Sequence, residues 1–165
     1  MTQNAKRILI VDDEAPLRFL LSKQLTRAGF EVLTAADGPA ALAVAAESPV
    51  DAVVLDVVMP GMDGFEVCRR LKSNVATQHI PVIMVTALDQ SSDRVQGLES
   101  GADDFLTKPV DEIALVTRVR NLVRLKVLND EMRMRAATRQ EMGILDTATQ
   151  AAEADAGRGR VMLVD

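Results

Sequence analysis

Asp51-Ala52-Val53-Val54-Leu55-Asp56-Val57-Val58-Met59-Pro60-Gly61-Met62-Asp63-Gly64 is the stretch on which the reading of this chain turns. Ala52 to Leu55 is apolar throughout, with no polar position in its alternation, as a central parallel strand buried on both faces must be. The run stops at a carboxylate, Asp56. A Pro-Gly turn follows, then Phe65, Val67, Cys68 and Leu71 at helical spacing. Strand, turn and helix in that order make one unit of a parallel sheet with crossover helices.

The unit recurs on both sides. Arg7 to Val11 predicts a strand whose helix starts near Pro16, shows Leu17, Leu20, Leu21 and Leu25 on one side, and ends at Gly29. Glu31 to Thr34 is followed, after Asp37-Gly38, by an Ala-rich helix through Glu47. Val82 to Val85, closed by Thr86, leads to a helix from about Ser92 to Ser100, and Phe105 to Thr107 ends at Lys108-Pro109. A long helix begins near Asp111 with Leu115, Val119, Leu122 and Val123 at packing intervals; beyond Lys126 its pattern thins to charges with Met132 and Met134. Five βα units predict an α/β fold with a doubly wound, five-stranded parallel sheet and an extended C-terminal helix.

Composition bounds the function. With 165 residues, 48% hydrophobic, the chain fits one compact domain with a helical appendage. A net charge of -5 argues against direct nucleic-acid binding. The sign is uneven, since Arg118, Arg120, Arg124, Lys126, Arg133, Arg135 and Arg139 face only Asp130 and Glu131 in that segment. One cysteine forbids an internal disulfide, and the apolar run Ile8 to Val11 is too short for a signal peptide. No stretch approaches the roughly 20 apolar residues of a membrane span. A cytoplasmic chain with no membrane contact is expected.

Asp12, Asp13, Asp56, Thr86 and Lys108 all fall at the ends of predicted strands. In an open parallel sheet those ends share one edge, where ligands bind. Three carboxylates there repel one another unless a cation sits among them, and an all-oxygen donor set suits Mg²⁺, with Mn²⁺ as a substitute. A carboxylate beside such an ion can attack a phosphoryl group. Asp56 is the best-placed nucleophile; Lys108 and Thr86 supply a cation and a hydroxyl for the phosphoryl oxygens.

Each residue also has a plainer reading. Asp12 or Asp13 alone would cap the helix entering at Pro16. Asp56 alone is a turn residue, Thr86 a β-branched strand end, and Lys108-Pro109 a turn with a surface lysine. Phe105 is at least a core aromatic. His79, the sole histidine, reads as a solvated loop residue, and Cys68 as packing.

The motifs Ile8-Leu9-Ile10-Val11-Asp12-Asp13-Glu14, Leu55 to Gly64, Val85-Thr86-Ala87 and Lys108-Pro109 resemble the receiver domains of two-component response regulators over about residues 5 to 125. The resemblance implies a flavodoxin-like sheet of order 2-1-3-4-5. It further implies direct metal contacts from Asp13, Asp56 and the Val58 carbonyl, with Asp12 acting mainly through water. Phe105 is then the switch aromatic, and the bond before Pro109 is cis. The implied partner is a sensor histidine kinase or phosphotransfer protein, with a homodimer through the receiver and extended helix as a further possibility.

The wording Gln96 to Pro109, followed by a long basic helix, is similar to the N-terminus of PleD-type diguanylate cyclase response regulators. Gly159 to Asp165 echoes Lys6 to Asp12. The expected organisation is a receiver over 1–125, helix and linker over 126–158, and the first strand of a second receiver-like domain over 159–165. A catalytic GGDEF sequence is absent from these 165 residues, so the chain itself is expected to switch rather than catalyse. The alternatives are a free-standing receiver relaying through protein contacts, and a metal-dependent phosphohydrolase. A haloacid-dehalogenase-like phosphatase would carry a second acid two residues after its nucleophile, where this chain has Val58.

Overall fold

A computed structural model describes residues 5–87 and 91–145. The elements run β1 (Arg7–Val11), α1 (Ala15–Arg27), β2 (Glu31–Ala35), α2 (Gly38–Glu47), β3 (Ala52–Asp56), α3 (Gly64–Ser73), β4 (Val82–Thr86), α4 (Ser91–Ser100), β5 (Asp104–Thr107) and α5 (Glu112–Leu145). All strand pairs are parallel and the order is β2-β1-β3-β4-β5. The expected sheet is present in the expected order. Asp56 and Thr86 are the last residues of their strands rather than the first beyond them.

Alternation along the strands divides the interior into two cores. Leu9, Val11, Val53, Leu55, Val82 and Met84 face one side, against Ala41 and Ala45 of α2 and Phe65, Val67, Cys68 and Leu71 of α3. Ile8, Ile10, Val54, Ile83, Val85 and Leu106 face the other, against Leu21 and Leu25 of α1 and Leu115, Val119 and Val123 of α5. Central β3 and β4 are buried at every position, which is why their sequences lack polar residues before the last.

One expectation for α1 fails. Leu20 is exposed, while Gln24 is buried within the stripe of Leu21 and Leu25. At about 100° per residue, Leu20 lies a quarter turn round from Leu21, outside the face that meets the sheet.

Caps explain the helix starts. Asp37 and Asp63 accept hydrogen bonds from Ala40 and Glu66 N–H, each at 2.9 Å, and Asp111 accepts from Ala114 N–H at 2.9 Å. The chain divides into two compact units between Lys126 and Val127. Within the second part, Leu128, Met132 and Met134 are exposed. The expected linker beyond Leu145 and the strand at 159–165 lie outside the described residues.

Candidate functional site

The parallel register delivers the site. Val11 pairs with Leu55, Asp56 with Val85, and Thr86 with Thr107, so the ends of β1, β3, β4 and β5 form one edge. There Asp12, Asp13 and Asp56 bring carboxylate oxygens within 4.8 Å of one another; Asp12 and Asp56 are buried, Asp13 exposed. Lys108 reaches in from the turn after β5. Its Nζ lies 3.1 Å from Asp56 Oδ1 and 4.0 Å from Asp12 Oδ2. The Lys108-Pro109 bond is cis.

The charges do not balance. Three ionised carboxylates against one ammonium leave two negative charges in a largely buried cleft. Burial pushes the Asp56 carboxyl up to about 6, against the hydrogen bond from Lys108, and Asp12 and Asp13 add their repulsion. Asp12 is raised for the same leading reason, more than the Glu14 amide and Lys108 lower it. Burial alone would lower the Lys108 ammonium; the hydrogen bond and charge of Asp56, with Asp12 and Glu14, outweigh it and hold the group above its ordinary value. Such a cluster is relieved by a proton or by a divalent cation. The clustered, all-oxygen donors, one of them open to solvent, fit Mg²⁺.

The plainer reading of Asp12 and Asp13 as helix caps is set aside by geometry. The N-cap of α1 is Glu14, which makes no side-chain capping hydrogen bond. Asp12 Oδ1 instead accepts the Glu14 N–H at 2.8 Å, a local turn that aims its second oxygen into the cluster. Cys68 is fully buried in the core, and burial raises its thiol, so packing is its role. His79 is exposed.

Two residues the sequence reading passed over support the site. Arg18 Nη1 donates to the Asp12 carbonyl at 2.7 Å, tying α1 to the loop that carries two of the acids. Nothing in its residue type signals this. Gly64 is more legible: it opens α3 directly after the capping Asp63, where helix propensity gives glycine no advantage. Its N–H donates to the Val57 carbonyl at 2.8 Å, and a Cβ there would come 2.8 Å from Val57 Cα and closer still to the Asp56 carbonyl oxygen. Backbone cannot yield as a side chain can, so glycine is what lets α3 lie against the acceptor strand. Val58, two residues past Asp56, is 60% exposed, and the ring of Phe105 is partly buried against the core that holds Met84.

The family profile of the response regulator receiver domain matches residues 8–120. The chain is 56% identical to the response regulator PleD of Caulobacter vibrioides over 160 residues, 96% of this chain and 35% of that protein. It is 47% identical to the DNA-binding dual master transcriptional regulator RpaA of Synechocystis over 118 residues, 72% of this chain and 49% of that one. It therefore spans half or less of these relatives' length. Among solved structures, the chemotaxis protein CheY4 of Vibrio cholerae matches with a TM-score of 0.70 at 33% identity, covering 72% of this chain and 99% of that one.

Proposed function

The chain belongs to the response regulator receiver domain family, and we propose that it is a phosphorylation switch whose acceptor is Asp56. A sensor histidine kinase or phosphotransfer protein presents a phosphohistidine; an Asp56 carboxylate oxygen bonds to phosphorus as the nitrogen–phosphorus bond breaks, and the imidazole leaves. Lys108 is placed to take a phosphoryl oxygen in place of its present bond to Asp56, and Thr86, at the end of the neighbouring strand, offers a hydroxyl. Asp13, Asp56 and the Val58 carbonyl would hold Mg²⁺, or Mn²⁺ in its stead, with Asp12 acting through water. Bound there, the ion supplies positive charge against the phosphoryl oxygens. Phe105 and the Lys108-Pro109 turn would move with the state of Thr86.

The observation that carries this reading is the buried Asp56 carboxylate, facing Lys108 inside an acid cluster that one lysine cannot neutralise. A switch rather than a phosphohydrolase is favoured because the exposed Val58, two residues past the acceptor, offers no acid. Acetyl phosphate with Mg²⁺ should give an acid-labile, hydroxylamine-sensitive label that Asp56→Asn abolishes; undiminished labelling in that variant overturns the assignment. Asp13→Ala should weaken Mg²⁺ binding more than Asp12→Ala.

A finer placement is also proposed: the input fragment of a diguanylate cyclase response regulator, acting in the cytoplasm through protein contacts, including a homodimer through the receiver and α5, without touching nucleic acid. The likeness to PleD runs over 160 residues, well past the end of the receiver, whereas that to RpaA covers 118. On this reading residues 126–158 connect to a second receiver-like domain beginning at 159–165.

A further inference from the structure

Gly97, on α4, has no conformational reason to be glycine. Among the described residues the glycines of positive φ are Gly29, Gly61 and Gly101, not Gly97, and alanine in a helix interior is intrinsically more stable. The reason is space. A Cβ at 97 would lie 2.6 Å from Phe105 Cζ, nearer still to Cε1, and 3.4 Å from Met84 Sδ; side-chain carbons essentially never approach below 3.0 Å. The edge of the Phe105 ring fills the volume a side chain at 97 would take.

The helix here is not free to retreat. The Gly97 carbonyl accepts from Ser100 Oγ at 2.6 Å and from Ala102 N–H at 3.1 Å. Just beyond, Asp103 N–H donates to the Val82 carbonyl at 2.8 Å, and Asp103 Oδ2 accepts from Val82 N–H at 2.8 Å and from Lys72 Nζ at 3.1 Å. That clasp fixes the C-terminal end of α4 against β4 and α3. Of the two partners, the ring, with two side-chain torsions, is the one that can move.

We propose that Gly97 is a positioning residue of the switch: its missing side chain is the seat on α4 for the Phe105 ring, so that a side chain at 97 removes one of the ring's two positions. This rests on the reading of Phe105 as the aromatic that moves with the state of Asp56. The consequence is specific to α4. When the ring leaves its seat, the helix surface at Gly97 loses the group that fills it, and ring position becomes visible on the outside of the domain.

The test is ring-labelled phenylalanine followed by NMR, four residues per chain, with Mg²⁺ and beryllofluoride as a phosphoryl analogue. In the wild type the Phe105 resonance should shift on addition; in Gly97→Ala that shift should shrink by more than half, because one ring position is closed. A full shift in Gly97→Ala overturns the seat while leaving Phe105 as the moving aromatic. A wild-type Phe105 that does not respond overturns the reading of Phe105, and the seat with it. Thermal melts provide the independent arm. Gly97→Ala should lower Tm in the wild-type background and raise it in a Phe105→Ala background, where only helix propensity remains. An equal rise in both backgrounds overturns the proposal.

Discussion

The two ends of the sheet use the same residue types in opposite ways. At the edge where strands begin, Asp51 precedes β3 and Asp103 precedes β5. Asp51 accepts the Arg7 N–H at 2.8 Å and lies 3.9 Å from Lys126 Nζ; Asp103 accepts the Val82 N–H and is paired with Lys72. Each acid there has a backbone donor and its own cation. At the edge where strands end, Asp12 and Asp56 share Lys108, and Asp13 adds a third carboxylate to the cluster. A balanced acid ties strands together, whereas an unbalanced cluster costs stability and holds a demand for a cation. The contrast separates acids that serve the fold from acids held ready for a ligand.

The comparison breaks if neutralising an acid has the same sign at both ends. Asp103→Ala leaves the Val82 N–H without its side-chain acceptor and removes the carboxylate from Lys72, which keeps the Ile80 carbonyl, and should lower stability by about 2 kcal/mol. Asp56→Asn, in metal-free protein at pH 7.5, should raise stability, by on the order of 1–3 kcal/mol, because a buried, poorly balanced charge is removed. Chemical denaturation of both variants in chelator decides it, and a loss in both would reduce the acid cluster to ordinary packing.

Titration sharpens the same point. Asp56 is raised in the fold to about 6 from 3.8, so the folded protein binds this proton more tightly than the unfolded chain. Stability of metal-free protein should therefore fall as pH rises from about 4 to about 7 and level off above. Glu66 shifts the other way, held below its ordinary value by hydrogen bonds from Arg70 and Arg69, so it opposes the decline only at the acid end of that window, where the unfolded side chain still binds a proton, and as an exposed group it does so weakly. Asp56→Asn, or saturating Mg²⁺, should flatten most of the decline. A wild type flat from pH 4 to 7 in chelator would contradict the strained cluster.

The smallest effect concerns Val58. Hydrolysis of an acyl phosphate needs a water aligned opposite the carboxylate, and Val58, two residues past the acceptor, cannot hydrogen-bond one through its side chain. Val58→Asn should shorten the lifetime of the phosphorylated state several-fold at fixed Mg²⁺ without preventing its formation. An unchanged decay rate would show that side-chain polarity at this position does not set the lifetime.

Strand and helix identity, the parallel arrangement and the cluster of Asp12, Asp13, Asp56 and Lys108 were legible in the sequence. Periodicity reports which face is buried, and strand ends in a parallel sheet converge by construction. The resemblance supplied the strand order, which periodicity does not carry. Leu20 was misplaced because a hydrophobic residue at the margin of a helical stripe is buried only if the partner surface extends that far. Other features depend on distances between residues remote in sequence. Lys72 meets Asp103 across 31 positions, and no pattern in either segment announces that pairing. Gly97 is an ordinary residue in sequence and a necessary one in space, because a glycine's requirement is written in the neighbour that fills its missing side chain. Local periodicity therefore determined the elements and the edge at which the acids gather. Tertiary packing decided which charges find partners there, which glycines must stay bare, and so where the molecule is able to respond.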